Sequence, residues 1–177
     1  MSINQQLNMP STKPLPNPRV ITTTHKEDGT SIFHSDQAIE PFQPFGPSGS
    51  AFSIFDTRAA VPVSNAEQGS AASSTLPRCP PSGVIFCVSD IAPKFSAPMH
   101  RTLSLDYGVV VSGEIVLELD GGEEKTVRTG EFIVQGGVNH KWTNRTDEPC
   151  RIAFVMVGAE KVKVGGGEAL EETVFKK

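Results

Sequence analysis

Two histidines and one aspartate in the second half of the chain are the residue types that acid–base chemistry or metal binding requires. His100 and Asp106 lie in the segment MHRTLSLDY, and His140 lies in the segment QGGVNHKWTN. Burial shifts the pKa of a carboxylate or an imidazole and so allows it to exchange protons at a useful pH. Two histidines and one carboxylate also have the composition of a facial metal-binding triad with open positions for water or substrate. The sequence therefore predicts a catalytic or metal-binding site at His100, Asp106 and His140.

The polar residues around Asp106 indicate a strand with one polar face. Successive side chains of a β-strand point to opposite faces. One face therefore carries His100, Thr102, Ser104 and Asp106. A polar strand face inside an all-β domain implies a wet interior or a site, so Thr102 and Ser104 are candidate pocket residues. Tyr107 points to the opposite face, where we expect it to pack.

The second segment places two more candidates near His140. Trp142 is the only tryptophan and shares a strand face with His140, so it is either a wall of the pocket or a core residue. Gln135 precedes His140, and its amide oxygen is a hard ligand that could supply a fourth bond to a metal. His25 and His34 flank a predicted hairpin instead, and we expect them at the surface.

Short strands separated by glycine-rich turns have to position these residues. Apolar segments recur at regular spacing after Gly83, and Glu114–Leu119 is predicted to form a hairpin with Glu123–Arg128 across an Asp-Gly-Gly turn. Only the residues from Glu168 to Phe175 allow a helical turn or two. Many short strands without a longer helical period are typical of an antiparallel sandwich or barrel, so the predicted fold class is all-β.

The first half of the chain is less regular than the second. Residues 1–18 carry four prolines among polar residues and are predicted to form a flexible arm. Residues 19–82 are predicted to form strands, beginning with a hairpin at Arg19–Phe33, and loops rich in Phe and Pro that pack on the barrel. The stretch from Arg58 to Ser82 is of low complexity, and its inner part is a candidate mobile loop. Residues 83–158 are then the barrel core, and residues 159–177 are a short C-terminal tail.

Charge and composition exclude several kinds of partner. The 177 residues include 16 Lys and Arg against 20 Asp and Glu, without a basic run, so we expect neither nucleic acid nor an anionic membrane as a partner. No apolar stretch approaches the ~18 residues of a membrane span, and the first residues lack the apolar core of a signal peptide. Three cysteines without CxxC spacing indicate neither a disulfide framework nor a zinc ribbon. These features predict a soluble cytoplasmic protein.

The two histidine segments resemble the two sequence motifs of the cupin superfamily. The first motif is G(X)5HXH(X)3,4E(X)6G, and its first-histidine, glutamate and closing-glycine positions are matched by His100, Asp106 and Gly113. The second motif is G(X)5PXG(X)2H(X)3N, and it is matched by Gly137, His140 and Asn144 and, within one residue at its start, by Gly130. The resemblance covers residues 83–158 and implies an antiparallel jelly-roll barrel, here with an N-terminal strand arm and a short C-terminal tail.

Two residues depart from the family pattern. Thr102 stands at the second histidine of the first motif, and Gln135 stands at the proline of the second. The resemblance still implies a divalent metal ion, Fe, Zn, Mn or Ni, held by His100, Asp106 and His140, with Gln135 as a possible fourth ligand. The alternative is that His100 and Asp106 form a buried hydrogen-bonded pair and that no metal binds.

The resemblance implies a small cupin enzyme of small-molecule or secondary metabolism. Our leading hypothesis is a metal-assisted lyase, decarboxylase or dehydratase, or an isomerase, which acts on an organic acid or a polyketide-like carbonyl compound. Asp106 is the expected general base if it does not bind the metal. The alternatives are a small-ligand-binding cupin without catalytic activity and an Fe(II)-dependent dioxygenase. Cupins commonly pair through edge strands, so a homodimer closed by the arm Arg19–Phe33 is also expected.

Overall fold

The computed structural model describes residues 14–65, 67, 69–70 and 75–174, and these residues form an all-β protein. The ten strands are β1 (Arg19–His25), β2 (Ser31–Ala38), β3 (Ser50–Arg58), β4 (Val84–Ile91), β5 (Ser104–Ser112), β6 (Glu114–Leu119), β7 (Glu124–Arg128), β8 (Phe132–Gly136), β9 (His140–Thr143) and β10 (Cys150–Gly158). The predicted fold class is thereby confirmed. The helical turn or two that the C-terminal residues allow does not form up to residue 174, and Phe175 lies outside the described residues.

The strands build three antiparallel sheets. A five-stranded sheet has the order β3-β4-β10-β5-β8, a three-stranded sheet has the order β7-β6-β9, and β1 and β2 form a separate hairpin. Isolated bridges link the edge of the three-stranded sheet to the segment before β5, at Ser96 with Thr143 and at His100 with His140. The jelly roll is therefore an open one, in which two facing sheets are not joined by a continuous hydrogen-bonded ladder.

The hydrophobic core lies between the two larger sheets. Its buried members come from six strands: Ile91, Val110, Ile115, Val127, Trp142, Cys150 and Ile152. Every second side chain of β5 and β10 faces inward, as the alternation of a strand requires. Burial of one such aliphatic side chain contributes about 1.5–3 kcal/mol to folding, so this cluster holds the two sheets against each other.

A glycine connects β5 to β6 where no other residue fits. Gly113 has a φ of 82°, and a Cβ placed on it would lie 2.9 Å from the carbonyl oxygen of Pro149. Glycine alone adopts this left-handed conformation without strain. The backbone therefore requires the closing glycine of the first motif, which aligns the strand of Asp106 with the strand that follows it.

The segments outside the two large sheets pack against the rest of the chain in two places. The β1–β2 hairpin forms as predicted, and beyond it Ile39 is buried against Phe55 and Val88 on the outer side of the five-stranded sheet. The C-terminal segment runs beside the residue after His100, where Thr173 donates its backbone N–H to the carbonyl of Arg101 over 3.0 Å. Within the described part of the chain, no helix is long and apolar enough to cross a membrane.

Candidate active site

One pocket opens on the inner face of the five-stranded sheet and has a volume of about 110 Å³. Its apolar walls are Phe45, Phe52, Leu76, Pro77, Cys87, Ile91, Ala97, Pro98, Trp142, Phe154 and Met156. Its polar groups are Ser50, Arg78, Ser89, His100, Thr102, Asp106, Gln135 and His140. A mostly apolar concavity with a few convergent polar groups is typical of a small-molecule site.

His100 and His140 lie side by side because their backbones pair. The N–H of each residue donates to the carbonyl of the other over 2.8 Å, and the ring centroids are 4.2 Å apart. Nδ1 of His100 lies 2.8 Å from the carbonyl oxygen of Pro98, and Nδ1 of His140 lies 3.0 Å from that of Val138. A carbonyl oxygen can only accept, so each Nδ1 carries the proton. In the neutral rings each Nε2 is left with a lone pair.

The Asp106 carboxylate is buried and hydrogen-bonded on both oxygens. The hydroxyl of Ser104 donates to Oδ1 over 2.5 Å, and the Gln135 amide donates to Oδ2 over 3.3 Å. The Thr102 hydroxyl reaches Oδ2 at 3.5 Å. Only 4% of the residue is exposed, and this burial raises the pKa of Asp106 above its ordinary value, while the three hydrogen bonds oppose the rise.

Gln135 connects the carboxylate to the imidazole. Its amide nitrogen lies 3.3 Å from Oδ2 of Asp106 and 3.2 Å from Nε2 of His140. The register of the sheet sets this position, because Asp106 and Gln135 are direct partners on β5 and β8. The amide has two N–H groups, so it can donate to both acceptors at once. Its own oxygen, Oε1, is buried without a hydrogen-bond partner among the described residues.

Both histidines are held neutral near pH 7. Burial is the main cause that lowers the pKa of His140 to about 4; charge on His100 lowers it further, and the hydrogen bond to Val138 opposes the shift. Burial also lowers the pKa of His100, against its hydrogen bond to Pro98 and with a smaller contribution from the charge on Arg78. Two uncharged imidazoles therefore lie beside the carboxylate.

The His140 shift predicts that the protein loses stability as the pH falls from 6.5 toward 4. In this range His140 binds a proton in the unfolded chain but stays neutral in the folded chain. This difference lowers the free energy of unfolding by about 2 kcal/mol between pH 6.5 and pH 5. The raised pKa of Asp106 acts in the opposite direction and offsets part of this loss. Urea denaturation at both pH values should show the loss in the wild type and a smaller loss in His140→Asn, whereas equal losses would contradict the prediction.

The donor atoms as arranged do not fit a metal ion. The amide of Gln135 already donates to Nε2 of His140 and to Oδ2 of Asp106, and Ser104 donates to Oδ1. Across residues 14–174, as far as they are described, no group of three or more His, Cys, Asp and Glu is placed to hold a metal. Thr102 supplies a hydroxyl where the family motif has a histidine. Three of the four predicted metal ligands, Asp106, Gln135 and His140, thus form a hydrogen-bonded network, and the ring of His100 packs beside that of His140.

The structure brings the predicted site residues together around one pocket, and all of them line it except Ser104, which is buried and donates to the Asp106 carboxylate. His100 and Thr102 precede β5, which begins at Ser104, and they still line the pocket with Asp106. Trp142 is both a core residue and a wall, with its ring centroid 5.9 Å from that of His140. Tyr107 points to the opposite face as expected, but the expectation that it packs is wrong, because 49% of it is exposed.

The first half of the chain contributes to the pocket, as the concentration of phenylalanines before His100 indicated, but sequence reasoning missed Arg78. The wall includes Phe45, Phe52 and the segment 76–78, in which Arg78 is charged. The stretch from Arg58 to Ser82 lacks a motif, so nothing in the sequence singled out this arginine. The excess of aromatic residues in an irregular segment was the one available signal that this segment packs against the pocket.

Comparison with known proteins finds relatives of this chain. The model of the cupin domain, Cupin_2, matches residues 87–158. The Phomopsin biosynthesis cluster protein C′ of Diaporthe leptostromiformis is 33% identical over 156 residues, which cover 84% of this chain and 82% of that protein. The cupin-domain-containing oxidoreductase fogC of Aspergillus ruber is 32% identical over 150 residues, 81% of this chain and 74% of that one. A solved Cupin 2 conserved barrel domain protein from Salinispora arenicola is 21% identical, with a TM-score of 0.39 over 42% of this chain and 62% of that chain.

The fold and the site define an all-β protein whose facing sheets surround a pocket with two histidines and one carboxylate. The chain belongs to the cupin family, since a cupin-domain-containing relative that matches most of both chains identifies it, in agreement with the domain model at residues 87–158.

Proposed function

We propose that this cupin is an enzyme that moves a proton on an organic acid or a related small carbonyl compound, as an isomerase or a lyase. The observation that carries the proposal is the buried carboxylate of Asp106 in an apolar pocket, linked through Gln135 to a neutral His140. The names of the relatives support a place in secondary metabolism, because the Diaporthe relative is named after a biosynthesis cluster.

Asp106 is the general base in this proposal. Its raised pKa brings the carboxylate closer to the basicity that removal of a proton next to a carbonyl requires. Return of that proton to a different carbon isomerises the compound, and loss of a neighbouring hydroxyl group as water makes the same step a dehydration. Ser104 and Gln135 hold the carboxylate in place, and the apolar walls exclude water, which strengthens these interactions.

Solvent exchange tests the proposal without knowledge of the natural substrate. The protein is incubated in D₂O with phenylpyruvate and with a panel of aliphatic 2-oxo and 3-oxo acids, and deuterium at the carbon next to the carbonyl is followed by NMR. We expect exchange with at least one compound well above the rate in buffer. Binding without exchange would instead support the ligand-binding alternative.

An oxidoreductase is the second candidate, because the Aspergillus ruber relative carries that name. This reaction requires an oxidant, and with dioxygen it would also require the metal that the resemblance implies. The test is oxygen uptake with the same compounds after addition of Fe, Zn, Mn or Ni, together with metal analysis of protein purified without chelator. Stoichiometric metal bound at His100 and His140, or iron-dependent oxygen consumption, would overturn the metal-free proposal.

We also propose the homodimer, in which a second copy covers the outer side of the five-stranded sheet. The apolar side chains exposed on that side are Phe86, Tyr107, Phe132, Val134 and Val155. The same chain offers a second exposed apolar surface on the β1–β2 hairpin, where 76% of Phe33 is accessible. Patches of this kind on a folded chain commonly mark an interaction site. Light scattering should give the dimer mass for the wild type and the monomer mass for Phe132→Ser, whereas a wild-type monomer at micromolar concentration would refute the proposal.

A further inference from the structure

We propose that Arg78 binds the carboxylate of the substrate and that Glu172 occupies the guanidinium until the substrate arrives. The inference rests on the proposed function, and it names the substrate class of that site: a small carboxylic acid with an apolar, preferably aromatic, body. Arg78 has no place in either cupin motif, because it lies in the stretch before β4 that lacks a recognisable pattern.

Arg78 is placed at the pocket and directed by the C-terminal segment. Its Nη1 donates to Oε1 of Glu172 over 2.5 Å, and its Nη2 donates to the carbonyl of Thr173 over 2.9 Å. The side chains of Arg78 and Glu172 are 35% and 31% exposed, so the ion pair lies at the mouth of the pocket, partly in contact with water. An arginine already paired with a carboxylate there is in a position to pair with another.

The charges around the pocket favour an anion at Arg78. Among the described residues that line the pocket, Arg78 is the one Lys or Arg, while the buried carboxylate of Asp106 lines the same pocket. Guanidinium groups form two parallel hydrogen bonds with a carboxylate, a geometry that a lysine cannot supply. A substrate that pairs its carboxylate with Arg78 would place its remaining atoms in the pocket that Asp106 shares.

The walls between these groups define the rest of the substrate. They are formed by Phe45, Phe52, Leu76, Trp142, Phe154 and Met156. Four of these six side chains are aromatic, and aromatic rings stack favourably on flat apolar groups. An aryl or branched alkyl acid with a carbonyl group therefore matches the surface better than a sugar or a polyol does.

The C-terminal segment can release Arg78 and still stay attached. Thr173 donates its backbone N–H to the carbonyl of Arg101 over 3.0 Å, and the N–H of Arg101 donates to Oγ1 of Thr173 over 2.9 Å. These bonds do not involve the carboxylate of Glu172, which can turn to solvent. When the substrate binds, its carboxylate replaces that of Glu172 as the partner of Arg78. A substrate therefore has to compete with Glu172 for the guanidinium.

Binding of matched probes tests this inference independently of turnover. Phenylpyruvate and phenylacetone share the phenyl group and the ketone but differ in the carboxylate. Their affinities are measured by calorimetry and by the emission of Trp142, for the wild type, Arg78→Met, Arg78→Lys, Glu172→Gln and the distant control Arg145→Met, each checked for folding by circular dichroism. A panel of aryl and branched alkyl acids, each with its uncharged counterpart, extends the comparison.

We expect the wild type to bind phenylpyruvate more tightly than phenylacetone. In Arg78→Met the ratio of these two affinities should fall by about 10- to 100-fold, which is the usual effect of removing a charge-assisted hydrogen bond. Arg78→Lys should be intermediate, Glu172→Gln should bind the acid several-fold more tightly, and Arg145→Met should behave like the wild type. Equal losses for acid and ketone, or no preference for any acid in the wild type, would overturn the inference. If deuterium exchange fails but this preference is found, only the proposed catalysis is refuted.

Discussion

Asp106→Asn is expected to lower the rate of deuterium exchange into the carbonyl substrate by about 10²- to 10⁴-fold, the usual contribution of a general base. The amide nearly matches the carboxylate in size and can still accept a hydrogen bond from Ser104, but it cannot take up a proton at any working pH. Exchange rates of the two proteins, measured by NMR at saturating substrate, give the ratio directly. The acid should still bind, since the inferred carboxylate site is Arg78.

The pH profile separates loss of the base from a disturbed pocket. The raised pKa of Asp106 predicts that wild-type activity falls with decreasing pH above the range of an ordinary aspartate, because protonation removes the base. That limb of the profile should be missing from the residual activity of Asp106→Asn. Asp36→Asn, on the exposed β1–β2 hairpin, is the control and should keep both the rate and the profile. Wild-type activity in Asp106→Asn would remove Asp106 from the mechanism.

The strand pattern was predictable where one face of a strand is buried. β6 begins and ends at the residues that its alternation predicted, and its hairpin with β7 follows from the Asp-Gly-Gly turn. The same alternation placed Thr102, Ser104 and Asp106 on the pocket side. Tyr107 shows the limit of this reasoning, because alternation gives the face of a residue but not what covers that face. In a single chain the outer side of β5 is exposed to solvent at Tyr107, although this side chain is largely apolar.

The location of the site followed from the motif spacing, whereas its chemistry did not. Spacing along strands fixes backbone positions, and it brought His100, Asp106 and His140 to one pocket. It does not indicate the contacts of an amide: in the structure the nitrogen of Gln135 donates to Asp106 and His140, and the role of Gln135 as a metal ligand stays a prediction. The part played by Arg78 depends on a loop path and on contacts with the far end of the chain. Neither has a periodic signature in the sequence.

Asn144→Asp is expected to destabilise the fold by about 3–5 kcal/mol, although it changes a single atom of the side chain. Asn144 is fully buried at the end of β9, and its Nδ2 donates to the carbonyls of Ile91 over 3.1 Å and Glu148 over 2.8 Å. Its Oδ1 accepts from the backbone N–H of Thr146 over 2.9 Å and from the Thr146 hydroxyl over 2.7 Å. Aspartate would turn an oxygen toward both carbonyls and leave them without a donor.

Urea denaturation of Asn144→Asp measures this loss, and Asn65→Asp in the exposed loop before β4 is the matched control, which should change the free energy of unfolding by about 0.5 kcal/mol or less. A loss below about 1 kcal/mol in Asn144→Asp would mean that its four hydrogen bonds do not hold the end of β9. Trp142 lies two residues before Asn144 on the same face of the strand, so its emission reports the same region. Because β9 also carries His140, an emission change that precedes global unfolding would show that Asn144 anchors the pocket as well as the fold.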